Sequence, residues 1–191
     1  FVLKCTHDSG SVVFCKDKAT FDKEAARQKL NQGLATKQFY LSREWPYKNV
    51  VPRIICEMLL VDGQSDDITD YKFMCFSSKV KMIMVITERH SSTGAKANCY
   101  DKYWTLLSVR DASFPNNPKP DIKPGKLNEM IHLAEILSAG MPHVRVDLYY
   151  LENRIYFGEM TFFDSGERKF FYPYEFNIQM GEWLQLPEKM K

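Results

Sequence analysis

The stretch Val144-Arg145-Val146-Asp147-Leu148-Tyr149, followed by Glu152-Asn153 and then by Ile155 to Phe163, decides the fold class. Val144, Val146 and Leu148 alternate with Arg145, Asp147 and Tyr149, the period of two that sends successive side chains to opposite faces of a strand. Glu152-Asn153 can turn the chain, so that Ile155 to Phe163 runs back as an antiparallel partner. The polar residues of this hairpin should share one face.

Just upstream, Leu127, Met130, Ile131, Ala134 and Leu137 fall at helical spacing, and Gly140 followed by Pro142 supplies the stop. This predicts a helix over Leu127 to Ala139. Pro115, Pro118, Pro120 and Pro124 forbid a regular element and mark a surface connector. Earlier still, Arg53 to Val61, Lys72 to Phe76 and Val80 to Ile86 read as strands, with Ser77-Ser78-Lys79 as a tight connection and Asp62 to Asp67 and Ser91 to Gly94 as loops. Phe1 to Lys4 and Ser11 to Cys15 read as a hairpin with a polar tip, and Thr20 is placed to cap a helix over Phe21 to Leu34. This order of elements predicts an α+β fold with helices packed on antiparallel sheets.

With 191 residues, 45% of them hydrophobic, the chain can bury a core without a disulfide or metal staple. The 26 Lys and Arg against 24 Asp and Glu leave a net charge of +2, too little for a broad field toward nucleic acid or an anionic membrane. No apolar run approaches the roughly 20 residues of a bilayer span. Cys5, Cys15, Cys56, Cys75 and Cys99 are odd in number and lack Cys-x-x-Cys spacing, so they read as reduced core residues of a cytoplasmic protein. The chain opens Phe1-Val2-Leu3-Lys4, with no Met and no leader of signal-peptide type, and residues upstream of Phe1 are expected in the full gene product.

Asp147 and Glu159 stand twelve positions apart on the hairpin and are expected near each other across its strands. Two like charges at that range are tolerable if both face water, if one is protonated, or if a divalent cation sits between them. Mg²⁺ takes hard oxygen ligands of this kind. Thr161 could add a neutral oxygen on the same face, which Arg145 shares. Lys72, between Tyr71 and Phe73, needs a partner or a water-filled cleft, and Asp70 is placed to be that partner. Glu57 lies in Ile54 to Leu60, a run apolar enough to be buried on both faces, where its carboxylate would want an adenine or ribose donor, or else Lys72 or Arg53. Lys4 and the backbone of the turn Cys5 to Gly10 could cradle a phosphate, against the alternative of a solvated hairpin tip. His7 is a phosphate donor or simply a turn histidine. The tryptophans and tyrosines read as core and rim packing. No zinc spacing and no Gly-x-Ser-x-Gly elbow occur, which excludes the zinc-enzyme and serine-hydrolase classes.

Taken in order, Lys4 with the turn His7 to Gly10, Ile55 to Leu60, Asp70-Tyr71-Lys72, Arg145-Val146-Asp147 and Glu159-Met160-Thr161 resemble the nucleotide site of ATP-grasp enzymes. The stretches Phe1 to Gly10, Arg43 to Val50 and Gly181 to Pro187 resemble one branch, the TupA-like ATP-grasp proteins of bacterial cell-surface polymer loci, often labelled glycosyltransferases. The resemblance implies an ATP-grasp fold of two α+β subdomains, 1–60 and 61–191, clasping ATP with Mg²⁺, and an upstream domain that this chain would lack. It implies that Lys4 touches the α-phosphate and that His7, Ser9, Gly10 and Ser11 cover the β- and γ-phosphates. Glu57, Met58 and Leu59 would form the adenine hinge, and Lys72 would reach the phosphates. Asp147, Glu159 and Thr161 would hold Mg²⁺, while Arg145 would face the transferring phosphoryl group. Thr161 departs from the family pattern, which more often has Asn there.

The implied reaction is ligation of a carboxylate to an amine, with a small-molecule or polymer-precursor acceptor and contact with membrane-associated polymer machinery. One rival is a glycosyltransferase using a nucleotide sugar, although only Asp62, Asp66 and Asp67 offer an acidic cluster for it. The other is a nucleotide-binding module without catalysis.

Overall fold

The computed structural model describes residues 1–8, 10–61, 68–89, 91–92, 94–164 and 169–187. Ser9, the loop over Asp62 to Asp67, His90 and Thr93 lie outside the described residues. The chain divides into two compact units, Phe1–Leu60 and Val61–Lys191.

In the first unit, β1 (Val2–Cys5), β2 (Val12–Phe14) and β3 (Ile54–Glu57) form an antiparallel sheet in the order β2-β1-β3. Helix α1 (Lys23–Ala35) buries Ala26, Leu30 and Gly33. The cap is Asp22, not Thr20: its Oδ1 accepts the backbone N–H groups of Glu24 and Ala25 at 3.0 and 2.9 Å. A carboxylate also answers the positive end of the helix dipole, which a hydroxyl does not. Phe21 stays outside the helix, edge-on to Phe1 at 5.3 Å. A short helix α2 (Gln38–Ser42) and a 3-10 turn (Trp45–Tyr47) follow, neither with the periodicity of a long helix. Trp45 is exposed rather than core packing, with the Lys48 ammonium 4.2 Å from its ring centroid.

Residues on one face of this sheet, Leu3, Cys5 and Val13 among them, lie under α1 or beside it. The opposite face carries Val2, Lys4, Val12, Phe14, Ile55 and Glu57, and β3 is an edge strand of the sheet. This overturns the expected burial of Ile54 to Leu60, since every residue of β3 is exposed. Apolarity of a run predicts burial only when another layer covers the strand. Cys56 is exposed, whereas Cys5, Cys15, Cys75 and Cys99 are buried, and all five thiols are free.

The second unit is built on a five-stranded antiparallel sheet in the order β6-β5-β4-β8-β9. Its strands are β4 (Asp70–Phe76), β5 (Lys79–Thr87), β6 (Lys96–Tyr100), β8 (His143–Leu151) and β9 (Arg154–Thr161). A separate pair joins β7 (Arg110–Asp111) to β10 (Phe171–Tyr172). Two-residue turns with positive φ at both positions, Ser77-Ser78 and Glu152-Asn153, connect β4 to β5 and β8 to β9. That is the hairpin turn whose twist matches the strands it joins.

Helix α3 (Leu127–Leu137) covers one face of the sheet, burying Leu127, Met130 and Ala134 against Phe73, Ile83, Val85, Val144 and Val146. On the other face, Met74, Met82, Met84 and Ile86 are sealed by Phe171 of β10 and Phe176 of helix α4 (Tyr174–Trp183). That second cover extends over β4, β5 and β6 only in part. Farther along β4 and onto β8 and β9, the same face carries the charged residues. The proline-rich connector is mostly exposed, pinned where Asp121 accepts hydrogen bonds from Tyr100 Oη and Asn98 Nδ2 at 2.9 and 3.0 Å. No helix among the described residues is long and apolar enough to cross a membrane.

Candidate functional site

Directly paired residues of adjacent strands project on the same face, so the register assembles the site. Lys72 of β4 lies opposite Asp147 of β8, and Asp147 lies opposite Glu159 of β9. Asp70 and Tyr149 form the next pair on this face, and Arg145 and Thr161 the one on the other side.

These side chains form a continuous chain of opposite charges. Lys72 Nζ contacts Asp147 Oδ2 and stands 3.0 Å from Asp70 Oδ2, which also receives Arg89. Arg145 makes a forked pair with Asp147, from Nε to Oδ1 at 2.7 Å and from Nη2 to Oδ2 at 2.9 Å. Its Nη2 also reaches Glu159 Oε1 at 2.7 Å, and its Nη1 reaches Asp164 Oδ1 at 2.8 Å. Thr161 Oγ1 donates to Glu159 Oε1 at 3.2 Å. The Asp147 side chain is 2% exposed and that of Glu159 61%, so one carboxylate is buried in the sheet and the other opens to solvent.

The sequence left three ways to tolerate Asp147 beside Glu159. The structure uses another, a guanidinium set between them. Burial pulls the Arg145 pKa down, but the charge and hydrogen bonds of Asp147, then the charges of Asp164 and Glu159, more than reverse this, and the group stays cationic. Burial raises the Tyr149 phenol to about 12, with Asp70 adding to the effect and Arg89 opposing it. Tyr149 is therefore a neutral hydrogen-bonding group at physiological pH. Extending the chain through Lys169 to Asp111 gives four cations, Arg89, Lys72, Arg145 and Lys169, against five carboxylates, Asp70, Asp147, Glu159, Asp164 and Asp111.

Mg²⁺ fits the donor chemistry of Asp147, Glu159 and Thr161, all hard oxygens on one face. Among the described residues no group of three or more His, Cys, Asp or Glu side chains is arranged as a metal cage. That is compatible with Mg²⁺ held by two carboxylates, with phosphate and water oxygens completing its shell.

In the first unit, Lys4 and Glu57 meet on one sheet face, Nζ to Oε2 at 2.7 Å. Glu57 is 46% exposed at the side chain and pairs with Lys4, in place of the Lys72 or Arg53 partner considered from sequence. Met58 is exposed and Leu59 half-buried just beyond β3. The turn carrying His7 to Ser11 is tied down from within. Asp8 accepts hydrogen bonds from the backbone N–H and the hydroxyl of Ser11, and Cys5 N–H donates to Ser11 O. His7 is buried with Nε2 at 3.0 Å from Gly33 O and 2.9 Å from Thr36 O, the carbonyls at the end of α1. It is a turn histidine bound to the helix, so the phosphate-donor alternative does not describe it in this conformation. Gly10 is exposed, and Ser11 is buried against the helix.

Lys4 with Glu57 in the first unit, and Lys72, Arg145, Asp147, Glu159 and Thr161 in the second, are thus the expected site residues that the folding of each unit brings together. Arg89 and Asp164 were not anticipated. Neither follows an apolar alternation, and their partners lie 19 positions away in both cases.

No curated protein and no solved structure matches the chain. A family model described as TupA-like ATPgrasp matches residues 1–185 of the 191, and the mixed α+β architecture with antiparallel sheets and four α-helices among the described residues agrees with it. The chain belongs to the TupA-like ATP-grasp family.

Proposed function

We propose that this protein is an ATP-dependent ligase that activates a carboxylate for attack by an amine in building a bacterial cell-surface polymer. The observation that carries the reading is the Asp147–Glu159 pair, cross-strand neighbours on a charged face with Arg145 and Lys72 beside them. Family membership supports ATP as the nucleotide, and the resemblance to polymer-locus proteins supports the acceptor class.

On this reading, Asp147 and Glu159 hold Mg²⁺, with Thr161 orienting Glu159 through its hydroxyl. When bound, the metal supplies neutralisation of phosphate charge. Lys72 and Arg145 keep two permanent cations on the face where negative charge gathers, and their placement in a pre-formed ion network spares reorganisation when that charge arrives. In the first unit, Lys4 and the exposed Gly10 are the groups proposed for the phosphates, and Glu57, Met58 and Leu59 those for the base. ATP supplies the phosphoryl group that converts a carboxylate into an acyl phosphate, and an amine then displaces phosphate from the acyl carbon.

Titration calorimetry tests the proposal: ATP with and without Mg²⁺, against UDP-glucose, on the wild type and on Asp147→Asn and Glu159→Gln. Mg²⁺-dependent ATP binding that both variants lose is the expected result. A preference for UDP-glucose would overturn it in favour of sugar transfer, and ATP binding without turnover of any carboxylate and amine pair would leave a binding module.

A further inference from the structure

The register that sets Asp147 opposite Glu159 passes over one glycine. From the turn at Glu152-Asn153 the ladder runs regularly, Leu151 opposite Arg154, Tyr149 opposite Tyr156 and Leu148 opposite Phe157. Continued one for one, it would set Gly158 opposite Asp147 and Glu159 opposite Val146, on the face buried under α3. The observed register skips Gly158, so that Glu159 faces Asp147, Met160 faces Val146 and Thr161 faces Arg145. Gly158 is the extra residue of a β-bulge, a feature that kinks one strand and re-aims the side chains beyond it.

A larger residue would be tight at this place. A Cβ on Gly158 would stand 3.0 Å from the Asp147 backbone oxygen and 3.0 Å from Cε2 of Tyr149. Strand β9 is at the sheet edge, so the kink disturbs one ladder and not two. Beside the bulge, Arg145 Nη2 fits between Asp147 Oδ2 at 2.9 Å and Glu159 Oε1 at 2.7 Å, so the two carboxylates stand one cation apart.

We propose that Gly158 is a positioning residue whose bulge sets the spacing of Asp147 and Glu159 and so creates a seat for a divalent cation. It acts through Glu159 and makes no contact with substrate. The inference rests on the Mg²⁺ reading of the site given above.

Deleting Gly158 separates spacing from register. The residues after it slide back by one, every remaining cross-strand pair and face is kept, and only the bulge is lost. Calorimetric titration of ATP with and without Mg²⁺, together with thermal melting, is the test. The deletion variant should melt close to the wild type and bind metal-free ATP as the wild type does. It should lose roughly tenfold of the Mg²⁺-dependent gain in affinity, one decade in the binding constant. Retention of the full Mg²⁺ effect in the variant would overturn the role of the bulge alone. Absence of any Mg²⁺ effect in the wild type would instead sink the metal reading, and this inference with it. If the deletion variant does not fold, Gly158→Ala carries the same measurement: it keeps the residue count and presses on Asp147 and Tyr149, and an undiminished Mg²⁺ effect there would overturn the proposal equally.

Discussion

Arg145 and Asp147, two residues apart on β8, bind each other through two parallel hydrogen bonds of 2.7 and 2.9 Å while both are buried. A forked guanidinium–carboxylate pair of this kind is directional as well as strong, and it fixes both side chains to the sheet surface. The network around it can therefore be probed from either end.

Replacing Arg145 by Met leaves Asp147 buried and short of a partner, and stability should fall by about 3–5 kcal/mol in urea denaturation. Arg145→Lys should lose less, because one ammonium restores charge but not the fork. If a divalent cation takes the same seat, adding Mg²⁺ should raise the melting temperature of Arg145→Met more than that of the wild type. An equal shift in both would speak against the seat.

His143 should give the protein an acid-side stability slope. Its ring stacks on Phe76 with 4.3 Å between centroids, and Nδ1 meets Cys75 O at 2.9 Å. Burial lowers its pKa below 6.5, the hydrogen bond to Cys75 O and the charge of Asp164 work the other way, and Arg145 adds to the lowering. The unfolded chain thus takes up a proton below about 6.5 that the folded chain refuses until lower pH. The contribution is complete above about pH 6.5 and is lost as pH falls toward the lower folded value. Urea midpoints at about pH 7.5 and about pH 5.5 should converge in His143→Gln relative to the wild type; an unchanged gap would show that other groups set the slope.

Gly33 lets α1 approach the turn of the first unit. A Cβ there would fall inside the contact distance of Ser11 Oγ and only 2.9 Å from Cys5 Sγ. Gly33→Ala should cost about 1–3 kcal/mol by overpacking, despite the better helix propensity of Ala. Thermal melting checks this, and a stabilised variant would mean that the helix shifts without penalty.

Glu57→Gln separates stability from binding. The Lys4–Glu57 pair is partly exposed, and its loss should change stability by less than about 1 kcal/mol. On the proposed function the same variant weakens ATP binding, read by calorimetry. Unaltered affinity would remove Glu57 from the nucleotide site.

Much of the second unit was legible in the chain. Alternation over Val144 to Tyr149 and the Glu152-Asn153 turn predict the β8–β9 hairpin, and the spacing of Leu127, Met130 and Ala134 predicts α3 within two residues at its end. Asp70 as the partner of Lys72 follows from their shared strand face. Other features were missed for identifiable reasons. The cap at Asp22 competed with an equally good hydroxyl at Thr20. The apolar run at Ile54 to Leu60 predicted burial because a sequence does not say whether a second layer lies over a strand. Gly158 inside a strand pattern is a bulge signal, yet its consequence, which face Glu159 takes, depends on where the extra residue falls in the ladder.

Local periodicity and turn chemistry, both properties of a few adjacent residues, thus determined the β8–β9 hairpin, helix α3, the antiparallel class and the candidates for the charged face, but not α2, β6, β7, β10 or α4. Only the tertiary structure decided how those charges are shared. Lys72 and Asp147 are 75 positions apart, and Arg145 reaches Asp164 across 19. Such pairs form because strand order and register bring them together, and the strength of a buried ion pair depends on geometry and on loss of water, neither of which can be read from residue type.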